Sequence, residues 1–119
     1  MTIPDVYRPV VLNLLKRTLD QAVEWREGAD KLEFIASFRD WSIKIRDTED
    51  ENNYSYSLSL LDREGSLTDE FAVWPSSDNE DYQILESIFD AARRRALKID
   101  EALATIQEEL GEPDDLPFE

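Results

Sequence analysis

The sequence predicts an α+β domain: one N-terminal helix, a four-stranded antiparallel β-meander, and a long C-terminal helical segment packed on one sheet face. Three observations carry this prediction. Apolar residues recur at helical spacing from Val10 to about Trp25. They alternate with mostly polar residues from Leu32 to Val73. From Tyr82 to Leu110 they return in unbroken steps of three and four. Two helical stripes and one apolar sheet face all need cover, and the simplest solution lays the helices over one face of the sheet. A chain of 119 residues is long enough for one core, so residues 1–110 read as a single domain and 111–119 as an acidic flexible tail.

Pro9 suits a first helical turn, where its missing N–H would be unpaired in any case. Val11, Leu15, Leu19 and Ala22 form the stripe of this helix, Leu12 and Val23 widen it, and Gly28 is the expected stop. The period then changes to two. Leu32, Phe34, Ala36 and Phe38 alternate on even numbers, and Trp41, Ile43 and Ile45 on odd ones. A two-residue hairpin at Arg39-Asp40 keeps both sets on one face, as would a bulge in one long strand; the hairpin is the preferred reading. The acidic stretch "DTEDENN", residues 47–53, reads as a polar loop, since it lacks the central Gly and the terminal Glu of a calcium loop. Tyr54, Tyr56, Leu58 and Leu60 then alternate with Ser55, Ser57 and Ser59, which predicts one buried face and serines turned to water. "DREG", residues 62–65, is a turn. Leu67, Phe71 and Val73 make a fourth strand that Pro75 ends. Core packing is the expectation for Phe34, Phe38, Trp41, Tyr54, Tyr56 and Phe71, leaving Trp74 as the most exposed tryptophan.

Ser77 and Glu80 stand in capping-box register before the last segment. Its stripe is Tyr82, Leu85, Phe89, Ala92, Ala96, Ile99, Leu103, Ile106 and Leu110. As one helix, its roughly 29 residues would span about 43 Å, against roughly 30 Å for a domain of this size. Ile99, Leu103, Ile106 and Leu110 would then overhang and need a cover. A second copy is the nearest one, with Ala92 and Ala96 allowing close approach, so a homodimer is expected. The competing arrangement breaks the helix near Lys98, with Asp100 capping a short helix that folds back on its own domain.

Charge narrows the function. Acids number 28 and bases 13, for a net charge of -15. Such a chain is repelled by phosphate and by anionic lipid, so no direct nucleic-acid binding and no membrane binding are expected. Adaptation to a salty cytoplasm, a basic protein partner, or imitation of DNA would each use the acidity. Arg93, Arg94 and Arg95 run side by side, yet a turn of about 100° per residue cannot gather them into one patch. Asp90 pairing and the negative end of the helix account for them. An anion clamp of Arg93 and Arg95 is the alternative. There is no cysteine and no histidine, and there are three glycines. Thiol chemistry, disulfides and Ser-His-Asp catalysis are excluded, and no Gly-rich phosphate loop can be assembled. No cofactor, metal or catalytic residue is expected. The opening residues "MTIPDVYRPVV" have no basic region before an apolar run, so no secretory signal is expected and the location reads as cytoplasmic.

Two resemblances add to this. "AARRRALKIDEAL" resembles the closing helix of small bacterial proteins of unassigned function, which supports the fold. "EPDDLPFE" resembles the acidic tip of bacterial single-stranded-DNA-binding proteins through Asp114, Asp115, Leu116, Pro117 and Phe118, although Glu119 follows the Phe here. In that family the tip docks on repair and replication enzymes, its Phe in a pocket and its acids on basic residues. The resemblance thus implies partner binding by Asp114, Asp115, Leu116 and Phe118. The sequence therefore points to a non-catalytic acidic interaction module or adaptor that self-associates or binds a basic protein surface. A nucleic-acid-mimicking inhibitor is the second reading, and a small enzyme using carboxylates and Arg the third.

Overall fold

The computed structural model describes residues 2–30, 32–50, 53–75 and 80–111, and at 49, 50, 53 and 54 it describes the backbone alone. The elements are α1 (Arg8–Leu19), β1 (Trp25–Glu27), β2 (Glu33–Phe38), β3 (Trp41–Asp50), β4 (Asn53–Leu61), β5 (Leu67–Val73), α2 (Glu80–Ala96) and α3 (Ile99–Leu110). The class is α+β. The strands lie in sequence order, and every neighbouring pair is antiparallel.

The sheet has five strands where the sequence predicts four. The additional strand, β1, falls inside the segment whose spacing reads as helix. α1 stops at Leu19 because Gln21 takes a left-handed φ of 61°. The Gln21 N–H then donates to the Thr18 carbonyl at 3.0 Å and the Ala22 N–H to the Arg17 carbonyl at 2.8 Å, the pair of bonds that closes a Schellman turn. Gly28, the expected helix stop, instead lies between β1 and β2. The buried stripe of α1 is rotated as well, to Val11, Leu14 and Thr18, and Leu12 and Leu19 are exposed. Thr18 can be buried because its hydroxyl accepts the Trp25 indole N–H at 3.2 Å.

The hairpin at Arg39-Asp40 forms, with Phe38 opposite Trp41 and Arg39 at a φ of 55°. In the turn at residues 62–65, one Asp62 carboxylate oxygen accepts the N–H groups of Glu64 and Ser66, both at 2.9 Å, and Gly65 supplies a φ of 85°. Most of the polar stretch 47–53 is strand and not loop. β3 runs on to Asp50, and β4 begins at Asn53. The ladder pairs backbone groups whatever side chains they carry, so Asp47 pairs with Tyr56 and Thr48 with Ser55.

α2 crosses the sheet and touches every strand, and α1 packs on α2. The predicted stripe of α2 is the heart of the core: Leu85, Phe89 and Ala92 are buried, joined by Ile88, against Phe34, Ile45, Leu58 and Val73. Phe89 meets Phe34 and Tyr56 at ring-centroid distances of 5.4 and 5.3 Å, and Tyr56 meets Tyr82 at 5.1 Å. Burial, with the Asp47 carboxylate beside it, pushes the Tyr56 phenol upward and keeps it neutral. The start of α1 is pinned from two sides. Tyr7 donates to Asp69 on β5 at 2.6 Å, and burial with that bond raises its phenol to about 12. Arg8 donates to the buried Asp81 on α2 at 2.8 Å, and the Ile3 N–H donates to the same carboxylate at 2.8 Å. The Arg8 bond comes first in holding the Asp81 carboxyl below its ordinary range.

The open sheet face is not simply polar and wet. Ser59 is 1% exposed and Ser55 5%, against the expectation that the serines turn to water. Ser59 lies on a central strand between Lys44 and Glu70, and its hydroxyl donates to Glu70 at 2.8 Å. The stems of such long neighbours cover a short side chain while their charged ends stay wet. Glu33 on this face is 4% exposed. Its carboxylate accepts the Ala29 N–H at 3.0 Å and lies 3.8 Å from the Lys44 ammonium. Gly28 is needed for this close approach, because a Cβ there would stand 2.2 Å from Glu33 Cγ. Gly28→Ala is therefore expected to displace Glu33 and lower stability by about 1–3 kcal/mol. Urea unfolding checks it, and a Gly28→Ala protein as stable as the wild type would show that Glu33 moves freely.

Two aromatic expectations are corrected. Phe38 and Trp41 have the inward parity but are 42% and 46% exposed, since they face α1 across an open groove instead of packing under a helix. Trp41, not Trp74 at 36%, is the most exposed tryptophan. The side chain of Tyr54, the Ser77 half of the capping box, and the tail residues Asp114, Asp115, Leu116 and Phe118 lie outside the described residues.

Candidate protein interface

The C-terminal segment is two helices. Lys98 adopts a left-handed φ of 55° and ends α2 while preceding the first residue of α3. The break falls where the competing arrangement places it, but the rest of that arrangement fails. Asp100 does not cap α3. It binds Arg94 at 2.6 Å, and this bond is the first cause of the raised Arg94 pKa. Nor does α3 fold back on the sheet, since among the described elements it touches α2 alone.

None of the α3 residues is buried. Leu103 is 55% exposed, Ile106 52% and Leu110 76%, and Ile99 is half-buried at the junction. Spaced four, three and four apart, these residues share one face of the helix. Asp100, Glu101, Glu108 and Glu109 make the helix acidic, and it holds no base.

Two of the three arginines make ion pairs, and one of these reaches the root of this helix. Arg94 holds Asp100 of α3, and Arg95 holds Glu24, just before β1. The Glu24 bond heads the causes of the raised Arg95 pKa. A cleft of about 320 Å³ opens there between Thr18, Leu19, Ala91, Lys98 and Glu101, with Arg94 and Arg95 on its wall. Arg93 is not among its lining residues, so the cleft does not bring Arg93 and Arg95 together.

A second concavity, of about 330 Å³, has no counterpart in the sequence pattern. α1 supplies one wall through Val10, Leu14 and Arg17, Ile43 and Leu60 form the floor, and Phe38 and Trp41 stand at the hairpin side. The nearest sequence signal is the pair of large aromatics, Phe38 and Trp41, that flank the turn. On the open sheet face, by contrast, Lys44 lies by Glu33 and Arg46 by Asp30, so carboxylates interleave with cations there.

Among the described residues, no three His, Cys, Asp or Glu side chains converge to hold a metal ion, and no helix is long and apolar enough to cross a membrane. No protein-family model, curated protein or solved structure matches the chain.

Proposed function

We propose that this protein is a non-catalytic, acidic protein–protein interaction module that docks through α3 and has a second copy of itself as its first partner. One observation carries the reading: a whole amphipathic helix buries none of its residues and holds Leu103, Ile106 and Leu110 out on one face. Covering such a side chain stabilises by about 1.5–3 kcal/mol. Three of them together are comparable with the roughly 4–15 kcal/mol that association costs. The Arg94–Asp100 ion pair supports the reading, because it ties the first turn of α3 to α2 without covering the apolar face of α3.

Light scattering at micromolar concentration is the test. The wild type is expected to be dimeric, and Leu103→Glu to be a monomer with an unchanged far-ultraviolet circular dichroism spectrum. A wild type that stays monomeric, or a Leu103→Glu protein that stays dimeric, would sink the proposal.

A further inference from the structure

We infer that α3 of each copy seats in the groove between α1 and the β2–β3 hairpin of the other, so that the dimer is a reciprocal exchange of helices. The inference rests on the self-association proposed above and names where the helix lands.

Charge selects the groove over the other apolar surface within reach, α3 of the second copy. Paired α3 helices would place acid on acid in either direction. Antiparallel, Asp100 and Glu101 meet Glu108 and Glu109; parallel, each meets its own copy. The groove carries the opposite sign. Arg17 lines it, Lys16 adjoins Arg17, and Arg39 follows Phe38 in the hairpin turn. None of the three makes an ion pair among the described residues. The apolar surfaces match as well. Leu103, Ile106 and Leu110 are exposed on the helix, and Val10, Phe38 and Trp41 are 50%, 42% and 46% exposed at the groove.

Area explains why the exchange is reciprocal. A helix of 12 residues is only about 18 Å long, and one such contact falls short of the roughly 800 Å² that each partner of a stable complex gives up. In a two-fold pair each copy contributes both a helix and a groove, which doubles the contact without any further surface. The distal end of α3 carries Leu110, its most exposed large apolar residue, and Glu108 and Glu109. We place that end against Arg17.

Sedimentation equilibrium on the full chain tests this with Val10→Glu and Arg17→Glu, both at exposed positions of α1, after circular dichroism and melting show each to be folded. Each is expected to raise the dimer Kd about tenfold or more. Adding Glu108→Lys and Glu109→Lys to Arg17→Glu is expected to bring the Kd back toward the wild type, a recovery that mere damage to the fold would not give. If Val10→Glu and Arg17→Glu dimerise as tightly as the wild type while Leu103→Glu is monomeric, docking through α3 stands and this seat is wrong. Loss at Arg17 without recovery by the two lysines also overturns the seat. A monomeric wild type overturns both proposals together.

Discussion

Phe89→Ala is expected to lower the stability of the domain by about 3–5 kcal/mol, more than removal of the buried carboxylate of Asp81 or crowding at Gly28. Phe89 is 4% exposed and sits on the one helix that touches every strand. Its ring meets Phe34 of β2 at 5.4 Å and Tyr56 of β4 at 5.3 Å. Truncation removes the transfer energy of the ring, leaves a cavity that relaxes only in part, and breaks two ring contacts worth about 0.5–1.5 kcal/mol each. Domains of this kind are stable by roughly 5–15 kcal/mol, so the loss is a large share of the total. A fall of roughly 4 °C per kcal/mol puts the drop in Tm at about 12–20 °C. Differential scanning calorimetry reads it directly. Phe89→Leu keeps much of the volume and is expected to fall between the two. A Phe89→Ala protein within about 1 kcal/mol of the wild type would mean that α2 does not carry the core.

The same stripe shows what is legible in the sequence. Leu85, Phe89 and Ala92 stand out by spacing, and the parity change from Phe38 to Trp41 locates the hairpin correctly. These signals are periodic, and burial on one face makes them so. Breaks are harder to read: the one near Lys98 appears in the sequence only as the competing arrangement, and the one before Gln21 does not appear at all. α1 ends at Leu19, just before Gln21, and α2 at Ala96, just before Lys98; both of these following residues have left-handed backbone and neither is a glycine. The residue type that normally advertises a helix stop is absent from both. β1 is hidden by the first of these breaks, because the spacing of Ala22 and Trp25 imitates another helical turn. The exposed face of α3 is half legible. The stripe names Ile99, Leu103, Ile106 and Leu110, but the local pattern of a helix does not say whether its own domain will cover it. The groove at Phe38 and Trp41 depends on where α1 sits against the hairpin, a tertiary relation that the strand parity alone does not encode.

Asp81 carries the second large effect, and it depends on pH. The carboxylate is 6% exposed and accepts two bonds at 2.8 Å, from the Ile3 N–H and from Arg8. Asp81→Ala removes both and strands a buried backbone donor, at an expected cost of about 2–4 kcal/mol. Asp81→Asn keeps an acceptor for the Ile3 N–H and loses the charge on Arg8, so it is expected to cost less, about 1–2 kcal/mol. The Arg8 bond, then the Ile3 N–H and the Arg8 charge, hold the folded carboxyl below its ordinary value of 3.8, and together they outweigh the opposing effect of burial. A depressed folded pKa means that the unfolded chain binds the proton more readily. The stabilisation is therefore complete above the ordinary value and is lost as the pH falls through it toward the folded one. The many other carboxylates titrate in the same range, so the wild-type curve alone does not isolate Asp81. The difference between wild type and Asp81→Asn does. Measured by urea unfolding, that difference is expected to be flat at neutral pH and to close as the pH drops below about 4. A gap that persisted unchanged into the acid range would show that Asp81 holds the N-terminal segment by shape alone, with no part played by its charge.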